Sequence, residues 1–531
     1  MIIKKSRKNI RKRSNKKSRR RLSRNSKRRV NRRTKRRTKS RLNRRTKKFL
    51  KNKNIKGGNT EEETGEFSEP EVTINLNEKG QGSSYNRFKK SKPDQFIKKL
   101  IFKTNEGLIL EPLFYNEIKN ILKEKTPNLE ELKFYNIYIN YDENKNFLSH
   151  LKEINLKGLN LINYNRFLTD DYVTNLFSDI SNFIQDNTTL TNLEIIGYRI
   201  DKILNESFKE ALENNKTLTS LNLSNNNIEI NNAVNIVRAL KNNTTLTSLN
   251  LQSNNIKGFK RLSNELKNNS TLTNLNLSYN ISRFPNKKNF IESIGDFLEN
   301  LKLTKLNLSN NSMGQLGIQL FPEDFKNNNT LTSLNLESNG IGYEGAENIA
   351  QVLNINTTLT RLNLGYNNIR HDGAQYIANA LKKNNAPLTS LSLENNKIGN
   401  DGAEKIAEAL KTNITLKELD LYGNQIGNDG AKNIAEALEI NTTLKELNLN
   451  DNQIEEQGVI YIANALKSNT TLEKVDITEN PIDNIKESDC EAIAKSLNNK
   501  QNPDKLLILN YDISEKIFKK NLNKNCRGIS S

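Results

Sequence analysis

The chain has 531 residues, with 83 Lys and Arg against 60 Asp and Glu, a formal net charge of +23, and two cysteines, Cys490 and Cys526. Two cysteines exclude a disulfide framework and point to a reducing, intracellular compartment, and no apolar run approaches the ~20 residues that span a bilayer as a helix. The charge is uneven: residues 1–56 hold 30 Lys and Arg and no Asp or Glu, which leaves 53 basic against 60 acidic residues in a mildly acidic body.

Residues 1–56 have little to bury and repel themselves, so the sequence predicts a disordered Arg/Lys-rich tail. Its start is charged but lacks an apolar stretch, so it is not expected to act as a secretory signal. Lys16, Lys17, Arg19, Arg20, Arg21, Arg28, Arg29, Arg32, Arg33, Arg36 and Arg37 form clusters suited to phosphate neutralisation. No aromatic residue precedes Phe49, so base stacking has no part in it. Nucleic acid or another polyanion is the expected partner. An import address to the nucleus or another nucleic-acid-rich compartment, and an anionic lipid surface, are the alternatives. Residues 57–94 combine Gly, Ser, Pro and an acidic cluster and read as a flexible linker.

From about residue 95 the chain is a repeat array. Residues 95–189 are divergent copies or a cap, 190–500 are regular, and 501–531 are a C-terminal cap and tail. The unit is Leu-x-x-Leu-x-Leu-x-x-Asn-x-Ile. Copies begin at Leu218, Leu246, Leu272, Leu303, Leu331, Leu359, Leu388, Leu416, Leu444 and Leu472, about 28 residues apart, with frayed copies at Leu129, Leu151 and Leu190. Leu-x-Leu alternation predicts a short strand with one buried face. The following Asn satisfies backbone groups as the chain leaves the strand. Asp372-Gly-Ala and Asp401-Gly-Ala are expected to cap the next helix, whose apolar positions, such as Ile406, Ala409 and Leu410, recur three and four apart. Asn-x-Thr triplets such as Asn243-Thr244-Thr245 end the unit and read as turn chemistry, glycan acceptors only in a secreted chain. Since no copy covers its own apolar face, copies must stack into an α/β solenoid, parallel strands inside and helices outside. Residues 280–300, with Ser282 in the usual Ile slot and Pro285 at the helix entry, predict a local irregularity.

This unit resembles the leucine-rich repeat, in its 28–29-residue ribonuclease-inhibitor-like class. The resemblance implies a right-handed horseshoe whose concave strand face binds other proteins. The chain departs from ribonuclease inhibitor itself in being poor in cysteine.

Alternation places the x positions of each strand outward. Ser220, Asn222, Ser224, Ser248, Asn250, Gln252, Asn274, Asn276 and Ser278 make a neutral first half; Glu337, Arg361, Glu394, Glu418, Asp420, Tyr422, Glu446 and Asp476 make an acidic second half, with Tyr366 on its rim. An aromatic among carboxylates suits an unidentified protein partner that presents a basic segment. Simple solvation of strand residues, or a contact with the tail, are the alternatives.

The composition argues against catalysis. His150 and His371 are the two histidines; His371 stands where sister copies have Asn400 or Asn428 and reads as an exposed turn residue, not a base. Cys490 reads as core packing, and Cys526 has no partner at metal spacing, so neither a metal nor another cofactor is expected. No phosphate-binding Gly-rich loop occurs. One catalytic alternative is a regulator of a small GTPase resembling the Ran GTPase-activating protein, which shares the repeat class and acts through a loop arginine; Arg199 is the candidate. An F-box adaptor, read from an apolar helical stretch at 95–125, lacks the Leu-Pro start of that motif.

Overall fold

The computed structural model describes residues 71–76, 88–89, 91, 97–110, 112–139, 147–164, 168–200, 206–280, 294–298, 301–482, 506–510 and 526–529. The chain divides into two units, Met1–Gly65 and Glu66–Ser531, and every described residue lies in the second. The tail residues Lys16 to Arg37, the expected irregularity around Ser282 and Pro285, and Cys490 lie outside the described residues.

Among the described residues, seventeen strands succeed one another: β1 (Glu71–Asn75), β2 (Lys99–Leu110), β3 (Glu131–Ile139), β4 (Gly158–Ile162), β5 (Asn192–Ile196), β6 (Ser220–Asn222), β7 (Ser248–Asn250), β8 (Asn274–Asn276), β9 (Lys305–Asn307), β10 (Ser333–Asn335), β11 (Arg361–Asn363), β12 (Ser390–Ser392), β13 (Glu418–Asp420), β14 (Glu446–Asn448), β15 (Lys474–Asp476), β16 (Leu506–Asn510) and β17 (Cys526–Ile529). Each pairs in parallel with the next, giving one sheet in chain order. From β6 to β14 each strand is three residues with its central Leu in register with the next: Leu362 opposite Leu391, Leu391 opposite Leu419, Leu419 opposite Leu447. The central Leu is buried while its neighbours stay open, as the two-residue period requires. Strand leucines and helix residues such as Ile406, Ala407 and Leu410 share one continuous core. The architecture is a leucine-rich-repeat solenoid.

Two ladders of buried asparagine join the copies. In the first, Asn396 accepts from the backbone N–H of Asn367 at 2.9 Å and of Ile369 at 3.2 Å. Its Nδ2 donates to the carbonyls of Leu364, Leu393 and Glu394 at 2.8, 3.0 and 3.1 Å. Asn367 and Asn424, one copy before and after, and Asn339, two copies before, repeat this pattern. A second ladder runs through the return loops: Asn441 accepts from Thr443 and Leu444 N–H at 3.0 and 2.8 Å and donates to Leu410 O at 2.8 Å in the preceding copy. These side chains answer where the backbone groups of tight, buried turns find partners.

Four expectations are corrected. The Asp residues do not cap. Asp401 lies inside the helix Gly399–Leu410, which starts after Ile398, and Asp372 inside Arg370–Lys382, where both favour the helix dipole. The cap comes from the neighbouring copy: Asn400 Oδ1 accepts from the N–H of Gly427 at 2.7 Å and Gly430 at 3.1 Å at the start of Asn428–Ile440. Asn428 does the same for Glu455 and Gly458. His371 is accordingly an exposed first-turn helix residue, its Nδ1 3.1 Å from Asp372. Second, the stretch expected as linker holds β1, because Val72 and Ile74 alternate inward beside Leu100 and Phe102 of β2. Third, residues 99–110 are strand, and only Pro112–Lys125 is helix. Fourth, the frayed copy sits at Leu156, not Leu151. Leu151 ends a helix, and Leu159 and Leu161 fill the strand slots of β4. At the other end, β16 and β17 continue the sheet into residues expected only to cap it.

Close approach of successive helices sets a packing requirement. A Cβ on Gly430 would lie 2.6 Å from Ile426 Cγ2, 2.9 Å from the capping Asn400 Oδ1 and 3.1 Å from Ala403 Cβ. Gly430→Val is therefore expected to destabilise the full chain by about 2 kcal/mol in urea unfolding, against little change for an exposed helix substitution such as Glu439→Gln.

Candidate functional site

The strand face differs between its two ends. Over β1 to β3 opposite charges meet across strands: Lys99 stands in register between Glu71 and Glu131, with Nζ 2.6 and 3.7 Å from their carboxylates, and Lys133 is 3.1 Å from Glu131. From β6 to β8 the outward rows are Ser and Asn. From β11 on charged residues enter them. Arg361, Ser390, Glu418, Glu446 and Lys474 form one register row, and Asn363, Ser392, Asp420, Asn448 and Asp476 the next. Glu418 and Glu446 are thus directly opposite, a like-charge pair that costs roughly 0.2–1 kcal/mol when nothing intervenes. Ser390, Ser392, Glu418, Asp420, Glu446, Asn448, Lys474 and Asp476 line a hollow of about 310 Å³ across β12 to β15.

The two tyrosines lie where the chain leaves the strands. Tyr366 is 48% exposed in a left-handed conformation (φ 56°). Its hydroxyl donates to Glu394; that bond first, then burial and the charges of Glu394 and Glu337, pushes its pKa up to about 12. A raised tyrosine pKa means the bond holds at neutral pH and is lost only as pH rises through that value. Tyr422 is raised by burial and then by Asp451, with Glu479 and Glu394 adding to it. Asp420 is raised chiefly by desolvation, opposed by the Tyr422 N–H, which donates to its Oδ1 at 3.0 Å. A carboxylate disfavoured by burial is one whose charge a nearby cation would stabilise.

Arg361, Glu418 and Glu446 share the first row, Asp420 and Asp476 the second, and Glu394, Tyr422 and Tyr366 border them at the strand exits. The sequence reading missed Asp451 and Glu479, which occupy the same left-handed slot as Tyr366 (φ 53° and 56°), and Tyr279 (φ 57°), 53% exposed. Aligning the copies one position further would have found all three. Arg199 is exposed and left-handed (φ 54°) after β5, several copies from the acidic rows. No group of three or more His, Cys, Asp or Glu able to hold a metal occurs among the described residues, and no helix among them is long and apolar enough to cross a membrane.

The sequence profile described as Leucine Rich repeat matches residues 214–229, 242–258, 299–321, 327–350, 356–378, 384–407, 412–435 and 441–463. These stretches fall on the copies whose ladders and strand register are described above, in keeping with the leucine-rich-repeat solenoid of the fold. Among solved structures the chain is similar to Leiomodin-1 Actin-Binding Site 2, at 27% identity over 28% of this chain and 86% of that one, with a TM-score of 0.25. It is also similar to a chain of the Rad7 and Elc1 complex in yeast, at 16% identity over 79% of this chain and 89% of that one, with a TM-score of 0.42. No curated protein matches the sequence.

Proposed function

We propose that this chain is a non-catalytic scaffold of the ribonuclease-inhibitor-like class, and that β11 to β15 hold a basic segment of another protein. The observation that carries this is the row in which Glu418 directly faces Glu446 beside a desolvated Asp420, with Lys474 in register with Glu446 alone. Elsewhere on the same sheet, at Glu71, Lys99 and Glu131, alternation neutralises the row. A cationic side chain laid over β13 and β14 would satisfy what the fold leaves unbalanced, with Tyr366 and Tyr422 as flanking anchors.

The Arg/Lys-rich tail serves this scaffold as a tether to nucleic acid or a related polyanion, which favours a nuclear or other nucleic-acid-rich location. The support is compositional: 30 basic residues and no acidic ones in residues 1–56. Anisotropy of labelled duplex DNA and single-stranded RNA tests it across a salt series. Full-length protein is expected to bind with log affinity falling by about 0.9 per neutralised phosphate per decade of salt on duplex DNA. The full chain with Lys16, Lys17, Arg19, Arg20, Arg21, Arg32, Arg33, Arg36 and Arg37 changed to Gln should bind more weakly and with a shallower slope. Unchanged binding by this variant would refute the tether.

A second reading, a regulator of a small GTPase, is favoured only by the exposed, left-handed Arg199. A GTPase assay in which neither the wild-type chain nor Arg199→Ala alters turnover disposes of it.

A further inference from the structure

We infer that nine Asn-x-Thr triplets of the return loops are closed to N-linked glycan transfer in the folded chain, that a glycan placed on them earlier blocks the fold, and that the protein therefore completes its fold on the cytosolic side. The inference does not depend on the partner face. The asparagines are Asn187, Asn215, Asn243, Asn269, Asn328, Asn356, Asn413, Asn441 and Asn469, each followed two residues later by Thr. All are at least nine-tenths buried, between 2% and 8% exposed.

Transfer joins Asn Nδ2 to the anomeric carbon of a lipid-pyrophosphate-linked oligosaccharide. The carbon–oxygen bond to pyrophosphate breaks, pyrophosphate keeps the electron pair, and Nδ2 loses a proton. In the ladder that nitrogen is committed. Asn243 Nδ2 donates to Leu212 O at 2.8 Å and Asn215 O at 3.1 Å; Asn469 Nδ2 donates to Leu438 O at 2.7 Å and Asn441 O at 3.0 Å. The Oδ1 atoms are engaged as well, Asn243 accepting from Thr245 and Leu246 N–H at 3.0 and 2.8 Å. A sugar would replace one donor hydrogen and occupy a gap set by strand spacing of about 4.8 Å, so two copies could not close on each other. The chain supplies its own contrast: Asn242 and Asn268 begin overlapping triplets with Thr244 and Ser270 and are exposed.

A nascent chain entering a glycosylating lumen meets the transferase before its copies have stacked, and nine acceptor sites spread from Asn187 to Asn469 leave little of the array untouched.

The test compares two presentations of the full chain to rough microsomes, with glycan occupancy mapped by mass spectrometry and folding read by protease resistance. Folded chain added to detergent-opened microsomes is expected to accept glycans at exposed triplets such as those of Asn242 and Asn268 and at none of the nine. Chain translated into the lumen behind a cleavable signal peptide is expected to carry glycans at the nine and to be digested, with resistance restored when an inhibitor blocks transfer. Occupancy of any of the nine in the folded chain would overturn the inference. So would a protease-resistant chain glycosylated on them, refusal of all nine by the nascent chain, or failure of the inhibitor to restore resistance.

Discussion

Asn396→Leu is expected to destabilise the full chain by about 3 kcal/mol, among the largest effects of any single substitution outside the leucine core. The residue is fully buried and its side chain makes five hydrogen bonds. The carbonyls it serves have other donors: Leu364 O also accepts from Asn367 Nδ2, and Leu393 O from Asn424 Nδ2. The N–H groups of Asn367 and Ile369 lose their side-chain acceptor, and a buried donor without a partner costs about 1–3 kcal/mol. Leucine matches the volume but supplies no oxygen, so the loss is of hydrogen bonding and not of packing. In a solenoid the damage stays near its neighbours. Amide hydrogen exchange should therefore quicken by roughly 100-fold at Asn367 and Ile369 while the Asn226 copy is unaffected. Glu404→Ala, on the exposed helix surface, is the comparison and should change stability by less than about 0.5 kcal/mol. Equal exchange rates at Asn367 and Ile369 in both variants would show that the ladder is not what holds these turns.

The second large effect concerns binding. The double variant Glu418→Lys, Glu446→Lys is expected to weaken an arginine-rich peptide by roughly 100-fold at low salt, close to 2.7 kcal/mol. Two attractive charges become repulsive at the centre of the hollow, beside Asp420 and Asp476. The same reversal on the helix side, Glu404→Lys with Glu436→Lys, keeps net charge equal and should leave affinity within a few-fold. The difference between the double variants should shrink as salt rises from 0.1 to 1 M and the Debye length falls from about 10 to about 3 Å. Binding should also weaken on acidification. Because Asp420 is raised by burial, it takes up its proton at a higher pH than an ordinary aspartate and its charge is lost as pH falls through that raised value.

Much of the fold is legible in the sequence because burial in this chain is periodic. Every copy from Leu218 to Leu472 places its central residue in the strand that alternation assigns, and registers such as Leu221 opposite Leu249 follow directly. Reading fails where the reason is not local. The helix beginning at Asn428 is capped by Asn400, a neighbour in space 28 residues earlier, and a rule that searches within one turn settles on Asp instead. Leu151 and Leu156 both begin acceptable apolar series, and only stacking against β3 and β5 selects the second. On the strand face, alternation places Glu418, Asp420 and Glu446 on the outward rows where the structure has them. It did not reach Asp451 and Glu479, because these sit past the strand, where a left-handed backbone and not the pleat sets direction.

The most direct test of the central claim is to locate a bound basic peptide. An arginine-rich peptide with a photo-reactive group at its centre is cross-linked to the full chain at low salt, and the joined residues are mapped by mass spectrometry. Cross-links confined to β11 to β15 and their exits, at Tyr366, Tyr422 and the Glu418 and Glu446 strands, are the predicted result. Cross-links on the helix surface around Glu404, Glu408 and Glu436, or spread evenly over all acidic residues, would contradict it.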